Sequence, residues 1–298
     1  MSNNNFSSFD FMFSDNPNKG IFEALDTYKT PKDTFVIPEI SNNEQEELAE
    51  QVARARVRRN DKTYVRNHIF RESLKNDTPT DHISYLEKLK SEGFEPKVIY
   101  DIGSCVLHWT KTAKKLWPDA TFILFDASTS VEFLYTEYNY HIGVLTKNDG
   151  ESLTFYQNDL NQGGNSYFKE IGHENSKFLF NEETATARIG ATLDTVVKNR
   201  GFPLPDLVKI DVQGAEKDLI TGGEATLASC KHLIVEMQKV NYNEGAPLVG
   251  ETMPYIESLG FTCVAPLFCD GGPDGDYGFV RNVTEKVTEG DEYVMLGK

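Results

Sequence analysis

The stretch Leu207-Val208-Lys209-Ile210-Asp211-Val212-Gln213-Gly214-Ala215-Glu216, continued by 217–223, constrains the fold more than any other part of the chain. Leu207, Val208, Ile210 and Val212 make the short apolar run of a strand covered on both faces. Gly214 then permits a sharp backbone turn, and 215–221 supplies helix formers until Gly222-Gly223 ends them. A buried strand that stops at an acid and turns into a helix is a unit of an open parallel sheet. In such sheets ligands sit outside the carboxyl ends of the strands. Asp211, Gln213 and Glu216 are therefore expected at that edge. Taken alone, the same residues need do no more than cap a helix, so the rest of the chain has to decide.

A second unit precedes it. Val98-Ile99-Tyr100-Asp101-Ile102-Gly103 reads as a strand running into a glycine turn, followed by a helical segment at 109–116 that Pro118 closes. The next strand, Thr121–Phe125, ends at Asp126, roughly 20 residues beyond Gly103, the spacing that sets an acid beside ribose hydroxyls. This is a mononucleotide-binding βαβ pattern. A dinucleotide fingerprint needs three glycines so that backbone can approach a pyrophosphate, and the turn Asp101-Ile102-Gly103-Ser104-Cys105-Val106-Leu107 has one. S-adenosylmethionine has no pyrophosphate. It needs one tight turn under its methionine part, an acid for two ribose hydroxyls, and carboxylates near its cationic groups. Asp101, Gly103 and Asp126 meet that demand.

The remaining chain divides by composition. Residues 1–42 are expected to form a flexible arm, rich in Asn, Ser, Asp and Pro, whose Phe6, Phe9, Phe11, Met12 and Phe13 alternatively dock on a groove or subunit. Residues 43–94 read as a helical prelude without chemistry of its own. Its first helix carries acids early and arginines late, its second covers 62–74, and its third starts at Thr78-Pro79 and buries Ile83, Leu86 and Leu89. Residues 95–283 form the main domain and 284–298 a tail. Within the domain, 141–145 and 152–156 are expected to pair as a hairpin around Asn148-Asp149-Gly150. A long polar loop with Gly163-Gly164-Asn165-Ser166 follows, then a strand and helix at 186–199. Strands at 233–237 and 261–267, a helix at 251–259 between them, and a last strand at 277–283 complete an α/β alternation. The predicted fold is a Rossmann-like, mostly parallel sheet with one antiparallel strand.

A formal charge of −16 disfavours nucleic acid or an anionic membrane as partner and suits a cationic small molecule. No apolar run reaches a membrane span, and the polar start is no signal peptide. Cys105, Cys230, Cys263 and Cys269 lack the close paired spacing of a zinc site and read as free thiols of a reducing compartment, hence a cytoplasmic location.

These residues together resemble the FkbM-type, S-adenosylmethionine-dependent O-methyltransferases. The similarity is carried by 98–110 (VIYDIGSCVLHWT), Phe125-Asp126-Ala127, 141–156, 163–166, Thr192–Val196, 207–223 (LVKIDVQGAEKDLITGG) and 233–237. The Lys-Ile-Asp-Val-x-Gly-Ala-Glu element is the most specific of them. The resemblance implies a seven-stranded class I methyltransferase fold and methylation of a hydroxyl on a sugar, glycan or similar small molecule. It also implies that Asp101, Gly103, Ser104, Cys105, Asp126, Ala127 and Ser166 bind the cofactor. Two departures stand out. Cys105 and Leu107 replace the Asn and second Gly of the family turn, and Leu107 is expected to narrow the methionine end of the pocket. Gln213 stands where the family commonly has Glu.

Methyl transfer from a sulfonium is an in-line displacement, governed by alignment of the acceptor oxygen and helped by a base. Candidate catalytic residues are Asp211, Glu236 and His108, with Asp211 preferred because it ends a central strand. Gln213, Glu216, Asp276 and Tyr277 are candidates for acceptor binding, the last two from a Gly/Pro/Asp turn at 270–277. Asp211 and Glu236 are also able to hold Mg²⁺, although no motif requires a metal. Two other classes stay open on the residues alone: a nucleotide-sugar or dinucleotide enzyme, and a non-catalytic binding protein that keeps the fold.

Overall fold

The computed structural model describes residues 58, 60–172, 176–268 and 272–282. The expected N-terminal arm, the first helix of the prelude, Asp270, Gly271 and the C-terminal tail lie outside the described residues. Two helices, α1 (Lys62–Ser73) and α2 (Thr80–Ser91), precede the sheet. The Asp61 carboxylate caps α1 by accepting the Thr63 and Tyr64 amides.

Then come β1 (Val98–Ile102), α3 (His108–Leu116), β2 (Thr121–Asp126), β3 (Asn139–Ile142), β4 (Ser152–Tyr156), α4 (Ser176–Leu179), β5 (Ala185–Ile189), α5 (Leu193–Arg200) and β6 (Leu207–Ile210). The chain continues through α6 (Glu216–Thr221), α7 (Glu224–Leu227), β7 (His232–Gln238), α8 (Val249–Ser258), β8 (Phe261–Phe268) and β9 (Asp274–Arg281). Seven strands form one sheet in the order β3-β2-β1-β6-β7-β9-β8. β9 alone runs antiparallel, inserted between β7 and β8. This is the seven-stranded, mostly parallel α/β fold expected from the sequence.

Strand alternation divides the core between two faces. Tyr100, Ile102, Phe125, Val208, Ile210, Val235 and Phe279 pack with α5, α6, α7 and α8. Ile99, Phe122, Leu124, Leu207 and Ile234 pack with α1, α2 and α3, through Ile69, Leu86 and Trp109 among others. The helices at 62–91 therefore share the core of the main domain. On α2 the buried side chains are His82, Tyr85, Leu86 and Leu89, with Ile83 only half-buried, which corrects the expected stripe by one position on the helix surface. Tyr85 crosses β9 at Gly278, where a Cβ would lie 2.9 Å from the Tyr85 ring.

The hairpin expected over 141–156 does not form. β3 adds to β2 in parallel, pairing Asp126 with Ile142, and β4 pairs antiparallel with β5 in a separate two-stranded sheet. Asp149, read as a turn residue, instead accepts the Thr192 amide and the Thr195 hydroxyl at the start of α5. Turn composition alone does not distinguish these uses of Asn-Asp-Gly. Among the described residues, no helix is long and apolar enough to cross a membrane.

Candidate active site

The carboxyl edge of the sheet opens into a cavity of about 380 Å³. On the side of β1, β2 and β3 its wall includes Gly103, Ser104, Cys105, Asp126, Ala127 and Gly143. Phe125, Val144, Leu145 and Phe155 add apolar surface, and Asn165 and Ser166 come from the loop after β4. The turn after β1 is tightly fixed. Gly103 and Ser104 both donate their amides to the Phe125 carbonyl, and the Ser104 hydroxyl donates to the Asp101 carbonyl at 2.6 Å. Gly103 takes φ +81°, and a Cβ there would sit 1.7 Å from the Asp211 carbonyl oxygen. Only glycine brings this turn against the end of β6.

Asp126 organises the opposite lip. Its Oδ2 accepts the Cys105 amide at 2.8 Å and its Oδ1 accepts the Ser128 amide at 2.8 Å. Tyr135 donates to the Cys105 carbonyl at 2.6 Å and approaches Asp126 Oδ2 at 3.3 Å. Burial raises the Asp126 pKa, against the pull of these hydrogen bonds. Burial, with Asp126 and Asp211 nearby, pushes the Cys105 thiol up to about 12, so the thiol is neutral. Cys105 and Leu107 take φ +46° and +73°, so Leu107 holds the left-handed conformation of the glycine it replaces. Its side chain is buried and does not line the cavity, which corrects the expected narrowing.

On the side of β6, β7 and β9 the wall is rich in carboxyl groups. Lys209, Asp211, Gln213, Glu236, Asp274 and Asp276 line it, and register explains their meeting. Asp101 pairs with Lys209 across β1 and β6, and Glu236 lies directly opposite Asp276 across β7 and β9. The Lys209 ammonium lies 2.9 Å from Asp211 Oδ2 and 3.8 Å from Asp101 Oδ1. Burial would lower the Lys209 pKa, but these two acids outweigh it and raise it. Asp211 feels burial upward, yet Lys209 and hydrogen bonds from Lys209, Gln213 and Glu236 hold it below the usual carboxylate range. Glu236 goes the other way: burial first, then Asp211, Asp274 and Asp276, push it well up. The Gln213 amide, on a residue at φ +56°, joins the two acids, donating to Asp211 Oδ1 at 3.0 Å and Glu236 Oε2 at 2.7 Å.

Several sequence candidates fall elsewhere. Asp101 is fully buried behind the wall, accepting the Thr110 hydroxyl and facing Lys209. Glu216 does not reach the cavity: its Oε1 accepts the Val212 and Gly214 amides and braces the turn after β6. Tyr277 projects to the other face of the sheet and packs in the core with Phe279 and Met253, because strand neighbours alternate. His108 lines the cavity, but its Nε2 lies 2.8 Å from the Glu72 carbonyl at the end of α1. The place a divalent cation would take beside Asp211 is held by the Lys209 ammonium. Among the described residues, no group of three or more His, Cys, Asp or Glu side chains is arranged to hold a metal.

Sequence reasoning missed Asp77, Thr78, Pro79 and His82, which line the cavity from the start of α2. The prelude thus contributes to the site, contrary to expectation. Thr78-Pro79 was visible as a helix start, but nothing local shows which sheet edge a helix start will meet.

The residues present fit S-adenosylmethionine. Asp126 keeps lone-pair capacity, on Oδ1 above all, for a ribose diol. Val144, Leu145 and Phe155 offer apolar surface to an adenine, and the Asp211 carboxylate just after β6 suits a cationic sulfonium.

The methyltransferase FkbM domain family matches the chain over residues 97–263, more than half of its length. No curated protein matches. Among solved structures, the chain is similar to the O-methyltransferase TomG from Streptomyces achromogenes, with 11% identity, 87% of this chain and 96% of that one covered, and a TM-score of 0.41. It is also similar to the precorrin-6y C5,15-methyltransferase of Geobacter metallireducens, with 11% identity, 70% and 92% covered, and a TM-score of 0.38. The ribosomal protein L11 methylase of Lactobacillus delbrueckii subsp. bulgaricus gives 14% identity, 67% and 79% covered, and a TM-score of 0.34.

Proposed function

Since the chain belongs to the FkbM methyltransferase family and is an S-adenosylmethionine-dependent methyltransferase, we propose that it methylates a hydroxyl of a polyhydroxylated small molecule, a sugar or glycan. The observation that carries this reading is the wall of Asp211, Gln213, Glu236, Asp274 and Asp276. Carboxylates and amide oxygens accept hydrogen bonds from several neighbouring O–H groups at once, which is what a polyol offers.

The cofactor supplies an electrophilic methyl carbon, and the protein supplies alignment. The turn 103–105 and Asp126 hold the nucleoside side, and the β6–β9 wall holds the acceptor. Asp211 is a weak base here, because Lys209 and Gln213 occupy its oxygens. Its part is to orient the acceptor and stabilise positive charge near the methyl group. The free thiols of Cys105 and Cys230 suit a reducing, cytoplasmic setting.

The test is transfer of a trideuteromethyl group from labelled S-adenosylmethionine to a panel of methyl glycosides and small glycans, followed by mass spectrometry with fragmentation. Label on a sugar oxygen supports the reading. Label on nitrogen of an amine panel, with none on oxygen, overturns it.

A further inference from the structure

We propose that His82, held by Asp276, is the general base that takes the proton of the acceptor hydroxyl, so that the acceptor binds between α2 and β9. This rests on the O-methylation reading above and adds to it the residue that moves the proton. Both groups lie outside the matched segment 97–263, His82 before it and Asp276 after it.

The placement follows from packing. α2 crosses β9 with Tyr85 over Gly278, and the residue one helical turn earlier, His82, meets the residue two positions back on the strand, Asp276. His82 Nε2 lies 3.2 Å from Asp276 Oδ2, at ion-pair distance but outside hydrogen-bond alignment. Such contacts commonly tighten only when the acceptor is bound. His82 is 2% exposed and lines the cavity, and neither ring nitrogen has a hydrogen-bond partner. A buried polar nitrogen left unsatisfied is costly, and a hydrogen bond from a bound hydroxyl removes that cost.

The rival bases are engaged. Both oxygens of Asp211 receive hydrogen bonds, and Glu236 accepts the Gln213 amide. The Asp276 carboxylate beside Nε2 favours the neutral tautomer protonated there, which keeps the Nδ1 lone pair. In the reaction the acceptor O–H bond breaks and its proton passes to Nδ1. The oxygen electron pair bonds to the methyl carbon, and the electron pair of the broken carbon–sulfur bond stays on sulfur, leaving a neutral thioether. The resulting imidazolium is stabilised by the Asp276 carboxylate.

The charged and titratable groups on the same cavity are Asp274 and Asp276 of β9, Glu236 of β7, Lys209 of β6 and Asp211 just after it, Asp77 before α2, Asp126 and Cys105 across the opening, and His108 of α3. Tyr167 lines it from the loop after β4, and Tyr85 lies on α2 itself. A histidine among so many acids has one alternative: a permanent imidazolium that only pins α2 to β9.

The full chain labelled with ¹⁵N-histidine separates the two without an acceptor. The proposal expects His82, identified by its loss in His82→Gln or by through-bond coupling in the wild type, to be neutral and Nε2-protonated at about pH 8. A ring doubly protonated up to about pH 9, or one protonated on Nδ1, overturns it. On the methyl glycoside that accepts label, His82→Gln should lower kcat by about 10²–10⁴-fold, with the S-adenosylmethionine affinity unchanged. Asp276→Asn should lower it less and move the acid limb of the pH–rate profile. A folded His82→Gln protein with kcat within about threefold of wild type overturns the proposal while leaving the O-methylation reading intact. Failure of every glycoside overturns that reading instead, and the tautomer of His82 then decides the proposal alone.

Discussion

Gly103 and Asp211 touch across the centre of the sheet: a Cβ on Gly103 would lie 1.7 Å from the Asp211 carbonyl oxygen. The turn on the cofactor side and the acid that begins the acceptor wall are therefore one rigid unit. Gly103→Ala adds this collision to a left-handed φ of +81°. It should destabilise the protein by about 3 kcal/mol or more and abolish S-adenosylmethionine binding, measured by urea denaturation and calorimetry. Wild-type stability in this variant would mean that β1 and β6 separate easily, against the account.

Lys209 is the one cation inside the carboxyl cluster of the described cavity wall. Lys209→Met keeps its volume and removes its charge, leaving the buried Asp101 and the half-buried Asp211 without a counter-ion. The expected loss is about 3–5 kcal/mol at neutral pH. Part of it returns on acidification, since the unpaired acids then bind protons more readily in the folded state than in the unfolded one. Urea midpoints at pH 7 and 5 check this; equal loss at both would argue that Lys209 acts by packing rather than charge.

The sheet was legible because Val98–Ile102, Thr121–Asp126 and Leu207–Ile210 are apolar on both faces, each ending in or beside an acid or glycine. The acids at those ends were legible for the same reason. Tyr277 and Glu216 were misplaced because side-chain direction depends on register and on a local turn, and neither is set by composition. His82 was invisible because its role depends on a partner, Asp276, almost two hundred positions away, and on α2 lying across β9. Asp149 shows the same limit: an Asn-Asp-Gly run serves a hairpin or a helix start, and only the neighbouring Thr192 decides.

Glu216 gives a pH test. Burial raises its carboxyl from 4.5 to about 7, although the backbone amides of Glu216, Val212 and Gly214 pull the other way. The folded state therefore holds a proton that the unfolded state has released over this window, and stability falls as pH rises from about 4.5 to about 7. Glu216→Gln keeps an acceptor for Val212 and Gly214 and has no charge to bury. Its melting temperature should show a shallower decline between pH 5 and 7 than wild type, and the variant should be the more stable at pH 8. Parallel pH curves for the two proteins would remove Glu216 as the source.

The central claim is that one cavity holds S-adenosylmethionine at the Asp126 lip and the acceptor at the β9 wall. Calorimetric titration of S-adenosylmethionine into wild type, Asp126→Ala and Asp276→Asn tests it most directly. Asp126→Ala should bind more weakly by about 1.5–3 kcal/mol, roughly ten- to 150-fold, and Asp276→Asn should bind as wild type does. Unchanged affinity in Asp126→Ala, or equal weakening in Asp276→Asn, would contradict the division of the cavity described above.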